Sequence, residues 1–137
     1  MIRMLHLLNL FALCVFSINM AVADVPAEQV EEVNHLLTFV KNSGCVIDRN
    51  GSVHPAEEGV SHIEMKYDYF RDDIGSTEEF IELSATRSTM SGDYYTVKCT
   101  GKETIKTQDW LLAELKRYRF KIETVSNVGA NSFAQRC

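Results

Sequence analysis

No stretch of this 137-residue chain supplies the roughly 20 consecutive apolar residues that a bilayer-spanning helix needs. There is no long basic run either. With 14 Lys and Arg against 19 Asp and Glu, the chain is a poor partner for nucleic acid or anionic lipid, both of which require clustered cations. The one short exception is "KRYRFK", Lys116 to Lys121. Catalytic signatures are missing as well. The chain has no H-E-x-x-H, no C-x-x-C, no phosphate-cradling glycine loop and no G-x-S-x-G nucleophile elbow. Internal repeats, low-complexity tracts and interdomain linkers are absent too, so a single domain is expected.

The first 23 residues read as a leader. Arg3 gives a short positive start, "LLNLFALCVFSI" (Leu7 to Ile18) an apolar run, and Ala21 and Ala23 the two small positions of an A-x-A cleavage site. Cleavage after Ala23 is expected, with a periplasmic mature chain beginning at Asp24. Cys14 follows Leu13 rather than a small residue, which argues against a lipoprotein signal. Export places the remaining cysteines where disulfides form. Cys45 and Ile47 share a face of one predicted strand, and Tyr95, Val97 and Cys99 a face of another, so a Cys45–Cys99 bond is expected. Cys137 is left over, as a free, capped or intermolecular thiol.

Pro26 opens a first helix with Val30, Val33, Leu37 and Val40 on one face and Asn42 to Gly44 at its end; His35 reads as a surface residue without a partner. Asn50-Gly51 marks a β-hairpin within Cys45 to His54. A second helix opens at Pro55 with Val60, Ile63, Tyr67 and Phe70 inward. A third begins at Ser76, whose spacing to Glu79 fits a capping box. Ser91-Gly92 turns into the strand Tyr94 to Cys99, residues 101–104 form a loop, and Thr107 caps a last helix ending in the Lys116–Lys121 cluster, where cations complement the dipole. The expected fold is α+β: a three-stranded antiparallel sheet packed against about four helices in residues 24–122, followed by a loosely ordered tail, 123–137.

On the second helix His62 and Lys66 fall on one flank, outside the inner stripe, and the hairpin carrying Arg49 lies close in sequence. Arg49, His62 and Lys66 therefore form a candidate cationic patch for a carboxylate or phosphate. The alternative is solvated charge, with Arg49 and Lys66 paired to Glu57, Glu58 or Asp73. Ser88 and Ser91 offer hydroxyls and His62 a base, but their spacing does not assemble a triad. "DRNG" fails as a calcium loop, because Gly51 falls at the fourth place from Asp48 and Gly59 occupies the twelfth. Glu58 and His62 have ligand spacing without a third partner, so no metal or cofactor is called for.

"SGC…RNG" (Ser43 to Gly51), His62 with Lys66, "TEEFI" (Thr77 to Ile81), "STMSGDYYTV" (Ser88 to Val97) and a "WLL" helix resemble, in order and spacing, the YfeK-like family of small exported bacterial proteins, domain of unknown function 5329. The resemblance covers Val30 to Tyr118. It implies a Gram-negative periplasmic location and no reaction. Its motif positions are Arg49, Asn50, Gly51, His62, Lys66, Phe80, Ile81, Ser88, Ser91, Gly92 and Tyr95. Arg49, His62, Lys66 and Ser88 have no evident structural job among these and make the candidate binding patch. Three functions follow from the sequence: a non-catalytic module for an envelope protein, peptide or glycan; a secreted inhibitor of a hydrolase; and a small hydrolase using His62 with Ser88 or Ser91.

Overall fold

The computed structural model describes residues 24–134. The predicted leader, Cys14 and Cys137 lie outside them. A 3₁₀ turn at Ala27–Gln29 leads into α1, Val30–Lys41. A hairpin follows, β1 (Val46–Arg49) and β2 (Ser52–Pro55), then α2, Ala56–Phe70. The short helix α3, Thr77–Phe80, runs directly into a π turn, Ile81–Ala85. The strands β3 (Thr96–Lys98) and β4 (Ile105–Lys106) precede the long helix α4, Thr107–Ala134.

The hairpin forms for the reason its sequence gives. Asn50 and Gly51 both take positive φ, 57° and 79°, as a type I′ turn demands. Asp48 Oδ1 fixes the turn by accepting from Gly51 N at 2.8 Å. The sheet has four antiparallel strands in the order β2-β1-β3-β4, not three. The fourth, β4, is two residues long, too short to show a period in the sequence; the edge of β3 imposes it through the pairs Thr96–Lys106 and Val97–Ile105.

One face of the sheet is covered and the other is open, as alternation predicts for an antiparallel sheet. Cys45, Ile47, Tyr95 and Val97 are buried beneath the helices, while Val46 and Lys98 are exposed. The core joins these to Val33, Leu36 and Val40 of α1, Val60 and Ile63 of α2, Phe80 and Ile81, and Leu111 and Leu115 of α4. The buried stripe of α1 is thus Val33, Leu36 and Val40; Val30 is exposed and Leu37 only partly covered. Contact between α2 and β1 is close enough that a Cβ at Gly59 would run into Ile47 Cδ1. The predicted cap of α3 is present, with Ser76 Oγ accepting from Glu79 N at 3.1 Å.

Two sequence expectations about α4 change. The helix does not end near Lys121; it continues to Ala134, so the region expected to be a loosely ordered tail is helical that far, with residues 120–128 exposed. The basic cluster is then mid-helix, and two of its arginines make tertiary ion pairs instead of complementing a helix end. Arg119 binds Glu32 at 2.7 Å and Glu78 at 2.6 Å, and Arg117 grips the buried Glu114 at 2.6 Å. His35 is not a partnerless surface residue either. Its Nε2 lies 2.6 Å from Glu114 Oε1 and its ring stacks on Tyr118 at 4.0 Å.

Cys45 and Cys99 form the expected disulfide, closing a loop of sequence separation 54. In the chain-entropy picture a loop of that size contributes about 4 kcal/mol. Replacing both cysteines by alanine is expected to lower the urea unfolding free energy by about that amount; a loss well under 1 kcal/mol would show that the bridge constrains little.

Candidate functional site

Arg49 closes β1, and the two-residue period puts it on the same side as Cys45 and Ile47, beneath the helices. The β1–β3 register pairs Val46 with Lys98, Ile47 with Val97 and Asp48 with Thr96. Continued by one residue, it sets Arg49 opposite Tyr95. Over this corner runs α2. His62 Nε2 sits 3.2 Å from the Tyr95 hydroxyl, and the two rings meet edge to face at 5.7 Å. One turn on, the Lys66 ammonium donates to the Arg87 carbonyl at 2.6 Å and lies 5.4 Å from the Tyr95 ring centroid.

The structure therefore brings Arg49, His62 and Lys66 together, but not as three equivalent surface groups. Lys66 is only 6 % exposed, against the sequence expectation of a flank position. The backbone of residues 86–88 folds back over it, and its ammonium holds that backbone through Arg87. Burial, reinforced by the Arg87 charge, pulls the Lys66 pKa down. His62 is half-buried, and burial together with the charges of Arg49 and Lys66 lowers its pKa to about 4, so the ring is neutral at pH 7. Burial pushes the Tyr95 phenol up, with the Arg49 charge opposing.

Ser88 is buried too, and its hydroxyl is occupied. Its Oγ accepts from the amides of Met90 and Ser91 at 3.3 and 3.2 Å and from Asn50 Nδ2 at 3.4 Å. Ser91 Oγ in turn donates to Asn50 Oδ1 at 3.0 Å. Asn50 thus has two jobs: it supplies the hairpin turn and ties its tip to the 88–92 loop. Sequence reasoning assigned Asn50 only to the turn and Tyr95 only to the core, although both belong to the set of motif positions that converge here. The hydrogen bond of His62 goes to Tyr95; no bond between His62 and Ser88 or Ser91 occurs among the described residues.

Arg49 differs from its counterparts. Arg71 pairs with Asp24 and Asp68, Arg87 with Glu82, Arg117 with Glu114, and Arg119 with Glu32 and Glu78. Arg49 has no carboxylate among the described residues, and its Nε is buried without any acceptor. It lines an open depression of about 420 Å³ with Glu57, Glu58, Ser61, His62 and Met65. Glu58 is not free to neutralise it, because its carboxylate takes His54 Nδ1 at 2.8 Å. That same contact occupies the carboxylate that had metal-ligand spacing with His62. The corner offers one unpaired guanidinium and a neutral imidazole, which suits recognition of an anion rather than proton abstraction from a bound nucleophile.

A model of the family of unknown function DUF5329 matches residues 27–119, which include all four strands and every residue of this corner. Uncharacterized protein YfeK of Salmonella typhimurium (strain LT2) is 34% identical over 74 residues, 53% of this chain and 62% of that protein. The chain thus matches about three fifths of the length of that relative. No solved structure matches.

Two outcomes are expected from this geometry. Lys66→Ala removes both the donor to Arg87 and a packed stem, and should cost about 2 kcal/mol of stability in urea unfolding; an unchanged midpoint would mean that the ammonium does not hold the loop. For His62, the unfolded ring takes its proton near 6.5 and the folded ring only near 4. Stability should therefore fall as pH drops from about 6.5 to 4, and His62→Gln should flatten that part of the Tm–pH curve. A His62 ring that titrates by NMR near 6.5 in the folded protein would contradict the buried, cation-flanked placement.

Proposed function

This chain belongs to the family of unknown function DUF5329, and we propose that it is a non-catalytic binding module that grips an anionic group of an envelope partner through Arg49, with His62 beside it. The observation that carries the reading is the unpaired guanidinium. In a protein with net charge −5, four of the five arginines among the described residues are ion-paired, and the fifth lies at the edge of a depression with a buried, acceptorless Nε. A buried donor left unmade costs about 1–3 kcal/mol. An incoming carboxylate or phosphate oxygen would relieve that cost when the guanidinium turns toward the depression. Lys66 and Ser88 are supports in this reading: Lys66 holds the 86–88 backbone, and Ser88 and Asn50 hold the hairpin tip. An oxidising location outside the cytoplasm is supported by the Cys45–Cys99 bond and by the leader pattern of residues 1–23.

The test is a titration with acetate and with inorganic phosphate, read at the His62 ring by NMR. A bound anion favours the imidazolium, so the His62 midpoint should rise above about 4 in the wild type. It should not move in Arg49→Gln whose folding has been verified. A midpoint that stays put in both proteins, at anion concentrations of tens of millimolar or more, would remove Arg49 as an anion site.

A further inference from the structure

The depression at Arg49 does not end at α2. A second cleft, about 610 Å³, runs between α1 and α2 and is lined by Asn34, Thr38, Lys41 and Glu64. Glu57 and Ser61 line both. The two are therefore one continuous groove with the guanidinium at one end. Glu57 and Glu64 are seven helical residues apart, about 10 Å at 1.5 Å per residue. That is the length of about three extended peptide residues.

We propose that this groove binds the C-terminal segment of a peptide, with its terminal carboxylate on Arg49 and the two or three preceding residues lying in the α1–α2 cleft. The inference rests on the anion-binding reading and adds the ligand class. Three features of the lining select it. Charge comes first: with Glu58 held by His54, the near neighbours of the carboxylate are Arg49, neutral His62 and anionic Glu57. One cation against one anion tolerates an incoming monoanion better than a phosphate dianion. Polar groups come second. The Asn34 amide, the Thr38 and Ser61 hydroxyls and the Glu57 and Glu64 carboxylates are spaced along the path, where they can meet the donors and acceptors of a backbone. Apolar walls come third: Met65, 60 % exposed, stands at one end, and Leu37 and Val60 line the other. No Trp, Tyr or Phe side chain lines either part, so the aromatic face on which a sugar ring would stack is missing from the groove lining.

The experiment uses a degenerate pool of N-acetyl tripeptides with free carboxylates, the same pool as C-terminal amides, inorganic phosphate and a trigalacturonate. Each is titrated into the ¹⁵N-labelled mature protein. The free-acid pool is expected to shift the amides of Asn34, Ser61 and Glu64 as well as the Arg49 side-chain Nε–Hε. The amide pool should bind at least tenfold more weakly. Ser61→Trp, an exposed substitution at the junction of the two parts, should abolish the peptide response while leaving the acetate response of Arg49 intact. If acetate matches the pool and the α1–α2 amides stay still, the peptide assignment falls and anion binding at Arg49 stands. The same holds if phosphate or trigalacturonate binds more tightly than the free-acid pool. If no anion moves Arg49, both readings fall together.

Discussion

The antiparallel pairing of β1 with β3, closed at one end by the Cys45–Cys99 bridge, is the constraint on which the rest of this structure depends. It joins residues about fifty positions apart and fixes a single register. A slip of one residue would turn Ile47 and Val97 out to solvent and bring Asp48 and Thr96 in, so burial enforces the pairing along its length. The same register carries past the last bonded pair and sets Arg49 beside Tyr95. α2 follows the hairpin directly and is held close to the sheet at Gly59, which brings His62 onto the Tyr95 hydroxyl and Lys66 onto the Arg87 carbonyl. The corner is a consequence of strand register and helix approach, not of local sequence around any one of its residues.

Charge is distributed with the same economy. The acidic surface is cross-linked by arginines: Arg119 ties α4 to α1 and α3 through Glu32 and Glu78, Arg71 reaches back to Asp24, and Arg117 with His35 satisfies the buried Glu114. The consequence for pKa is uniform. Hydrogen bonds from Arg119 hold Glu32 and Glu78 below the usual carboxylate range, and those from Arg117 and His35 outweigh burial at Glu114. Against that pattern Arg49 is an exception. Two rigid backbones place it where its own side chain is incompletely satisfied, and the nearest carboxylate that might have answered it is engaged by His54. Such an arrangement persists because the surrounding structure over-determines it, and it leaves binding free energy available to a ligand that brings an acceptor.

Much of this was legible in the sequence where a periodic signal or a turn rule applied. The hairpin at Asn50-Gly51, the α3 cap at Ser76 and the Cys45–Cys99 pairing all follow from local chemistry and two-residue alternation. The placement of Arg49 was legible too, had the alternation of Cys45 and Ile47 been carried one step further. Other features were set by partners distant in sequence. Lys66 falls three residues after Ile63 and four before Phe70, yet a lysine reads as surface until a returning loop supplies a carbonyl for it. β4 exists because β3 has an open edge. His35 gained Glu114 and Tyr118 from a helix some eighty residues away, and the Lys116–Lys121 cluster looked like a helix terminus because charge order alone cannot distinguish a dipole effect from tertiary ion pairs. The roles of Asn50 and Tyr95 were hidden for a different reason: each already had a sufficient structural explanation.

The central claim is that Arg49, alone among the ordered arginines, is available to an incoming anion. The most direct measurement follows the side-chain Nε–Hε resonances of Arg49, Arg71, Arg87, Arg117 and Arg119 while acetate is added to the folded protein. The account predicts a saturable shift and slowed solvent exchange at Arg49, with the four paired arginines unmoved. Equal small drifts at all five, or a saturable response at any of the others with none at Arg49, would contradict it.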